Sequence, residues 1–244
     1  MVDGCLIVHG LTGTPATMAS FQRAFIGAGY TVNTPCLAGH GGSVEDLSKV
    51  SWEDWYDTVR ISYMTLKRDV DRVFCAGTSL GALLCLKLAL DEGWGIKGIA
   101  LLGTPLRLSM LERIAISMVR HTPLKAIIKN IPKDWNKSIA DPAGRLKYEQ
   151  MSLPKIPLNA VFEIIDLQVK ILASLSKISH PLLIMHGKED KVAPLMNVDI
   201  LKNTVASSII ESMIFEDCRH ILTMDYKKER VAKTALYFFK RFSK

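Results

Sequence analysis

The chain has 244 residues, of which 48% are hydrophobic, and a formal net charge of +7. That length and apolar content suit one large buried core carrying an insertion rather than two equal domains. No apolar stretch approaches the roughly 20 residues that span a bilayer, and the positive charge is scattered rather than gathered into a stripe, so neither stable membrane insertion nor a nucleic-acid partner is expected. The dense basic spots, Lys227-Lys228-Glu229-Arg230 and Lys240-Arg241, fall on a predicted C-terminal helix and read as its solvated face. Five cysteines without C-x-x-C spacing, three of them (Cys5, Cys75, Cys85) inside apolar runs, predict buried thiols in a reducing, cytoplasmic setting. The opening Met1-Val2-Asp3 carries no basic leader, which agrees with that setting. No cofactor or metal is implied.

In chain order, an apolar run at 4–9 predicts a buried strand, and a glycine-rich loop, His9-Gly10-Leu11-Thr12-Gly13-Thr14-Pro15, follows it. A helix is expected at 17–28, a strand at 30–34, a helix at 51–68 and a strand at 72–77. Directly after that strand stands Gly77-Thr78-Ser79-Leu80-Gly81, and the run Ala82 to Leu90 predicts a buried helix over 80–91. A strand at 97–103 comes next. The following strand, at 181–186, is far beyond the dozen or more residues that a crossover needs. The interval begins with Leu108, Met110, Leu111, Ile114, Ala115, Met118 and Val119 at helical spacing, and five prolines from Pro123 to Pro157 cut the rest into short pieces. It reads as a helical cap over 106–157, set into a core formed by 1–105 and 158–244. The stretch Leu158 to Leu175 predicts the helix that leads back. A sixth strand at 210–216 and a helix at 226–242 close the chain. Continuous apolar strands alternating with helices specify an α/β fold: about six mainly parallel strands flanked by helices on both faces.

Strand, Gly-x-Ser-x-Gly, helix is the arrangement that lifts a serine hydroxyl clear of the sheet, with helix N–H groups behind it. A serine hydroxyl is a weak nucleophile and needs a base, itself oriented by a carboxylate. In open α/β sheets such groups gather at the carboxyl ends of strands. Asp190 lies in the loop after the fifth strand, in His186-Gly187-Lys188-Glu189-Asp190, and His220 lies in the loop after the sixth. Glu189 is the rival acid, and a short carboxylate better suits a turn followed by Val192-Ala193-Pro194. Asp217 is too near His220 in sequence to face its ring. His180 sits at the wrong end of the sheet and His121 in the cap; His186 and His40 read as structural. Two backbone donors are needed for an oxyanion: Leu80 N–H after the nucleophile, and Leu11 N–H in the loop that Gly10 and Gly13 free to turn.

These residues together make the chain resemble the α/β-hydrolase superfamily, and within it the small bacterial carboxylesterases related to monoacylglycerol lipases. The resemblance runs almost end to end, on His9-Gly10-Leu11-Thr12-Gly13, Pro35-Cys36-Leu37-Ala38-Gly39-His40-Gly41, the serine elbow, Gly187 with Asp190, and Arg219-His220. It implies Ser79, Asp190 and His220 as a triad, Leu11 and Leu80 as the oxyanion hole, and a cap over an acyl pocket. Two departures stand out: the superfamily's first two strands are missing, and Ala82 follows Gly81 where larger relatives often carry a second glycine. The expected activity is hydrolysis of small-molecule carboxylic esters with short-to-medium aliphatic acyl chains, monoacylglycerols included. Amide or peptide hydrolysis uses the same triad, and a non-catalytic ligand binder would normally have lost one of its members. Dehalogenases of this fold carry aspartate at the position of Ser79.

Overall fold

A computed structural model describes residues 1–243. Its centre is a six-stranded, all-parallel sheet. In chain order the first half contains β1 (Asp3–Val8), α1 (Ala19–Gly27), β2 (Thr31–Asn33), α2 (Val44–Ser48), α3 (Trp52–Asp69), β3 (Arg72–Thr78), α4 (Leu80–Glu92) and β4 (Ile96–Leu102). The chain then leaves the sheet through α5 (Met110–Arg120), α6 (Leu124–Ile127), β5 (Asn130–Pro132), α7 (Trp135–Ser138), α8 (Pro142–Gln150) and β6 (Lys155–Pro157). It returns through α9 (Leu158–Ser174), β7 (Leu182–Gly187), α10 (Met196–Thr204), β8 (Ile210–Phe215) and α11 (Lys228–Lys240).

The spatial order is β2-β1-β3-β4-β7-β8, so the chain starts in the interior, builds one edge, and then crosses back over β1 to build the other. The switch in direction lies between β1 and β3, where Val8 pairs with Gly77. The loops that follow these two strands therefore begin side by side, and an open α/β sheet collects its ligands at such a point. The six strand predictions match in number and order, each within a few residues of the observed ends.

Both faces of the sheet are buried, which is why its strands read as unbroken apolar runs. Leu6, Val8, Cys75 and Ile99 point toward α3, α4 and α9, in one core that also holds Trp55 and Tyr63. Cys5, Ile7, Phe74 and Ala76 point the other way, into a second core made with Phe21, Phe25, Phe238 and Phe239 of α1 and α11. Helix α4 is buried almost all round, from Leu80 to Ala89, and so carries no polar face. Helix α3 starts at a reciprocal cap in which Ser51 and Asp54 satisfy each other's backbone N–H groups. All five cysteines are free thiols, and Cys36 alone of the five is exposed. No helix among the described residues is long and apolar enough to cross a membrane.

The excursion between β4 and α9 has two unlike halves. Helices α5 and α6 bury no residue, and Met110, Leu111, Met118 and Ile127 lie largely in solvent. The second half contains an element not expected from the sequence: β5 and β6 pair antiparallel, with Ile131 opposite Ile156. A small core of Ile139, Tyr148, Ile221 and Met224 ties this half to the loop that follows β8. Helices α2 and α10 are also additions to the predicted set.

Candidate active site

Ser79 stands between β3 and α4 with φ 53° and ψ −117°, a backbone that a side-chain-bearing residue adopts only under constraint. The constraint is packing. A Cβ at Gly77 would overlap the backbone of Gly81, and one at Gly81 would overlap the carbonyl oxygens of Val8 and His9. The turn is thus pressed between its own two glycines and the end of β1. Ser79 N–H donates to Leu102 O (2.9 Å), which fixes the elbow to β4.

Asp190 and His220 arrive from β7 and β8. Gly187 allows their loops to touch, since a Cβ there would overlap the carbonyl oxygens of Cys218 and Arg219. Gly103, at φ 55°, ends β4 with its bare Cα against His220; a Cβ would lie 3.2 Å from the ring Nδ1. The imidazole can therefore lie across the end of β4 and reach the serine. His220 Nε2 is 2.8 Å from Ser79 Oγ, and His220 Nδ1 is 2.8 Å from Asp190 Oδ2. The other carboxylate oxygen of Asp190 accepts N–H bonds from Val192 and Ala193, both at 2.8 Å.

Burial alone would raise the pKa of Asp190, but the charge of His220 and the hydrogen bonds from His186 and His220 outweigh it and hold the carboxyl well below the usual carboxylate range. His186 is fully buried; its Nε2 lies 2.9 Å from Ala193 O and 3.2 Å from Asp190 Oδ2, so it braces the loop that presents the acid. The rival acids are engaged elsewhere. Glu189 faces Arg219 at 3.5 Å, and Asp217 faces Lys227 at 3.7 Å.

The loop after β1 runs beside the elbow: a Cβ on Gly10 would stand 3.2 Å from that of Ser79. Neither Leu11 N–H nor Leu80 N–H has a hydrogen-bond acceptor among the described residues, so both remain open to a ligand oxygen. The loop is supported from below by His9. Leu37 N–H donates to its Nε2 (3.1 Å), which puts the ring proton on Nδ1, where it is donated to Gly10 O (2.9 Å). Burial first, and the neighbouring His40 second, lower the pKa of His9 to about 3, so the ring is neutral in its working form. His40 packs edge-on to it at 5.0 Å, and burial lowers its own pKa to about 4.

Sequence reasoning missed two supports, Asp225 and Lys133, and placed His186 as structural without its link to the acid. Asp225, fully buried, accepts N–H bonds from Ala140, Asp141, Arg219 and Tyr226, joining the excursion to the His220 loop. Lys133 reaches from beside β5 to Thr12 in the loop after β1 (Nζ to Oγ1, 2.6 Å), and burial lowers its pKa to about 7. His186 stands in the quoted loop, yet its second bond to the acid has no local signal. No cluster of His, Cys, Asp or Glu among the described residues could hold a metal ion.

Known proteins carry the same framework. The family profile described as serine aminopeptidase, S33, matches residues 3–227. A thermostable monoacylglycerol lipase of Bacillus sp. (strain H-257) is 30% identical over 237 residues, spanning 97% of this chain and 90% of that protein. A carboxylesterase of Bacillus subtilis (strain 168) is 25% identical over 97% of this chain and 92% of its own length. Among solved structures, one of two metagenome-derived lipolytic enzymes superposes with a TM-score of 0.86 at 26% identity, covering 98% of this chain and 94% of that one. With its parallel sheet and serine elbow, the chain belongs to the serine aminopeptidase S33 family of α/β hydrolases.

Proposed function

We propose that this protein is a serine carboxylesterase that hydrolyses esters of short-to-medium aliphatic acids, monoacylglycerols among them, through an acyl-enzyme. The observation that carries the reading is the unbroken hydrogen-bond chain from Asp190 through His220 to Ser79, at 2.8 Å per link. His220 Nε2 takes the Ser79 proton as Oγ attacks the ester carbonyl. Asp190 keeps the other ring proton on Nδ1 and stabilises the imidazolium that forms. The open N–H groups of Leu11 and Leu80 receive the oxyanion. His220 then returns its proton to the departing alcohol, and water repeats the sequence to free the acid.

The alternative within the family is cleavage of an amino-terminal peptide bond, which needs an anion to hold the substrate's ammonium. The carboxylates around the triad are already committed: Glu189 to Arg219, Glu216 to Lys188, Asp217 to Lys227 and Asp225 to four backbone N–H groups. None of these carboxylates is free to hold that ammonium, which favours an ester. Both named relatives, a monoacylglycerol lipase and a carboxylesterase, favour it too.

We assign 106–157 as the cap and place the acyl chain in the groove between α5 and α9, about 610 Å³, where Leu106, Met110, Ile114 and Leu172 supply apolar wall and Arg107, Arg113 and Arg120 supply charge. Leu106 stands three residues beyond Gly103, the glycine that packs against His220. The free thiols fit a reducing, cytoplasmic compartment. The deciding experiment pairs a fluorophosphonate probe with p-nitrophenyl esters and aminoacyl-anilides. The wild type should label at Ser79 and turn over butanoate and octanoate esters far faster than anilides, and Ser79→Ala should do neither while melting like the wild type. Turnover that survives in Ser79→Ala would overturn the assignment.

A further inference from the structure

Thr12 and Ser79 are the two residues other than glycine with positive φ among those described, at 63° and 53°. For Ser79 the elbow explains it. Thr12 is β-branched, among the residue types least suited to that region, and nothing in the chemistry described so far requires it. It occupies the third position of the turn closed by Gly13 N–H to Gly10 O (3.1 Å), where a type II turn demands positive φ and normally takes glycine.

What holds it comes from the excursion. Leu153 N–H donates to Thr12 O (2.9 Å), and Lys133 Nζ donates to Thr12 Oγ1 (2.6 Å) and to Ser152 Oγ (3.2 Å). The ammonium is caged by aromatic faces, 4.0 Å from the ring centre of Tyr148 and 4.5 Å from that of Trp135. Its backbone is pinned as well, through Lys133 N–H to Pro154 O (3.3 Å) beside the β5–β6 pair. No carboxylate answers its charge among the described residues, and burial is the cause acting on it. A desolvated cation without a counter-ion lowers stability relative to an apolar side chain of the same length. The two ring faces and two hydroxyls offset part of that cost, but only the bond to Thr12 ties the lysine to the loop after β1.

We propose that Lys133 is a positioning residue for the oxyanion hole: through Thr12 it holds the Gly10–Gly13 turn in the conformation that aims Leu11 N–H at the reacting carbonyl. The inference rests on the triad and oxyanion reading above. Without the strap, Thr12 relaxes toward negative φ, the turn closed by Gly13 N–H and Gly10 O opens, and the Gly10–Leu11 peptide that carries the Leu11 N–H loses its aim. The excursion then does more than cover the acyl groove, because its second half completes the electrostatic half of the site.

The test is Lys133→Met on the full chain, assayed with p-nitrophenyl butanoate. Losing an oxyanion donor outright costs roughly 100- to 1,000-fold in kcat, so a misaimed one should cost about 10- to 100-fold, with KM changed by less than about twofold. A trifluoromethyl ketone, which mimics the oxyanion, should lose affinity by the same factor as kcat/KM. The melting temperature should be unchanged or higher. Thr12→Gly supplies the decisive arm, since glycine adopts this φ freely: adding Lys133→Met to Thr12→Gly should cost little. Should Lys133→Met fail to fold, Thr12→Val carries the test, because it keeps the branched strain, removes the acceptor and should lose kcat alike. Wild-type kcat in the single variants, or an undiminished penalty in the Thr12→Gly background, overturns the inference alone. A wild type without ester turnover or probe labelling removes the underlying reading and the inference with it.

Discussion

Ser79 and Thr12 share a positive φ that side chains disfavour, yet they are held by opposite means. The elbow is held by exclusion: Gly77, Gly81 and the end of β1 leave the chain no other path, and every group involved is buried in the sheet. The oxyanion loop is held by attraction, through polar bonds from Leu153 and Lys133, which lie in an excursion far along the chain. Steric constraint tolerates no added atom but needs no partner. Polar constraint tolerates substitution but fails when the partner leaves. The proposed nucleophile therefore belongs to the core, and the proposed oxyanion hole belongs to the contact between core and excursion.

The sharpest contrast comes from removing charge on the core-held side. Asp190→Asn keeps a side-chain oxygen for Val192 and Ala193 N–H but turns an amide toward His220, which forces the wrong tautomer. A loss of about 10,000-fold in kcat is expected, well beyond that for Lys133→Met. A deficit under about 100-fold would mean that Asp190 does not orient the base. Gly81→Ala attacks the elbow sterically and should cost about 4 kcal/mol or more, the level reached when a buried backbone contact is made impossible. Thr12→Gly should melt at or above the wild-type temperature. Equal denaturation midpoints for Gly81→Ala and the wild type would break the comparison.

A smaller effect is expected in mild acid, beginning on the oxyanion side. His9 and His40 have folded values near 3 and 4, below the unfolded value of about 6.5. Below about 6.5 the unfolded chain takes up protons that the folded chain refuses, so stability falls with pH until His40 and then His9 titrate in place. With both residues contributing, the slope approaches about 2.7 kcal/mol per pH unit. Asp190, whose carboxyl is depressed, contributes stability that is fully present above about 3.9 and is lost only below it. Urea titrations at pH 7, 6 and 5 would measure the slope, and His40→Gln should halve it. A flat profile from pH 7 to 5 would show that neither ring is held neutral.

How far the sequence could be read follows the same division. The six strands were visible because both faces of the sheet are covered, so each is a continuous apolar run. Ser79, Asp190 and His220 were visible because each sits just past such a run, where the chemistry of an open sheet belongs. Helix α10 was missed because Met196, Val198 and Ile200 alternate with polar residues, a period of two rather than of a helix, and the β5–β6 pair because three-residue strands containing Pro132 and Pro157 have no period to detect. Lys133 and Thr12 lie far apart in the chain, and no local pattern links a lysine among short helices to a strained threonine. Asp225 is equally silent, since a carboxylate satisfied by four backbone N–H groups looks in sequence like any acid before a helix.

Asp225 also divides the molecule for the purposes of change. By gripping Ala140 and Asp141 along with Arg219, it makes the later part of the excursion continuous with the catalytic loop. Helices α5 and α6 bury nothing, and their segment is tied to the core by polar contacts instead: Arg107 N–H donates to Asn197 Oδ1, and the Arg120 guanidinium donates to both carboxylate oxygens of Asp166 on α9. With Arg107 and Arg120 kept, substitution of the exposed residues between them, Met110, Leu111 and Met118 among them, should cost the core little. In the proposed acyl groove, acyl preference can change through these residues while the hydrogen-bonded chain from Asp190 to Ser79 stays as it is.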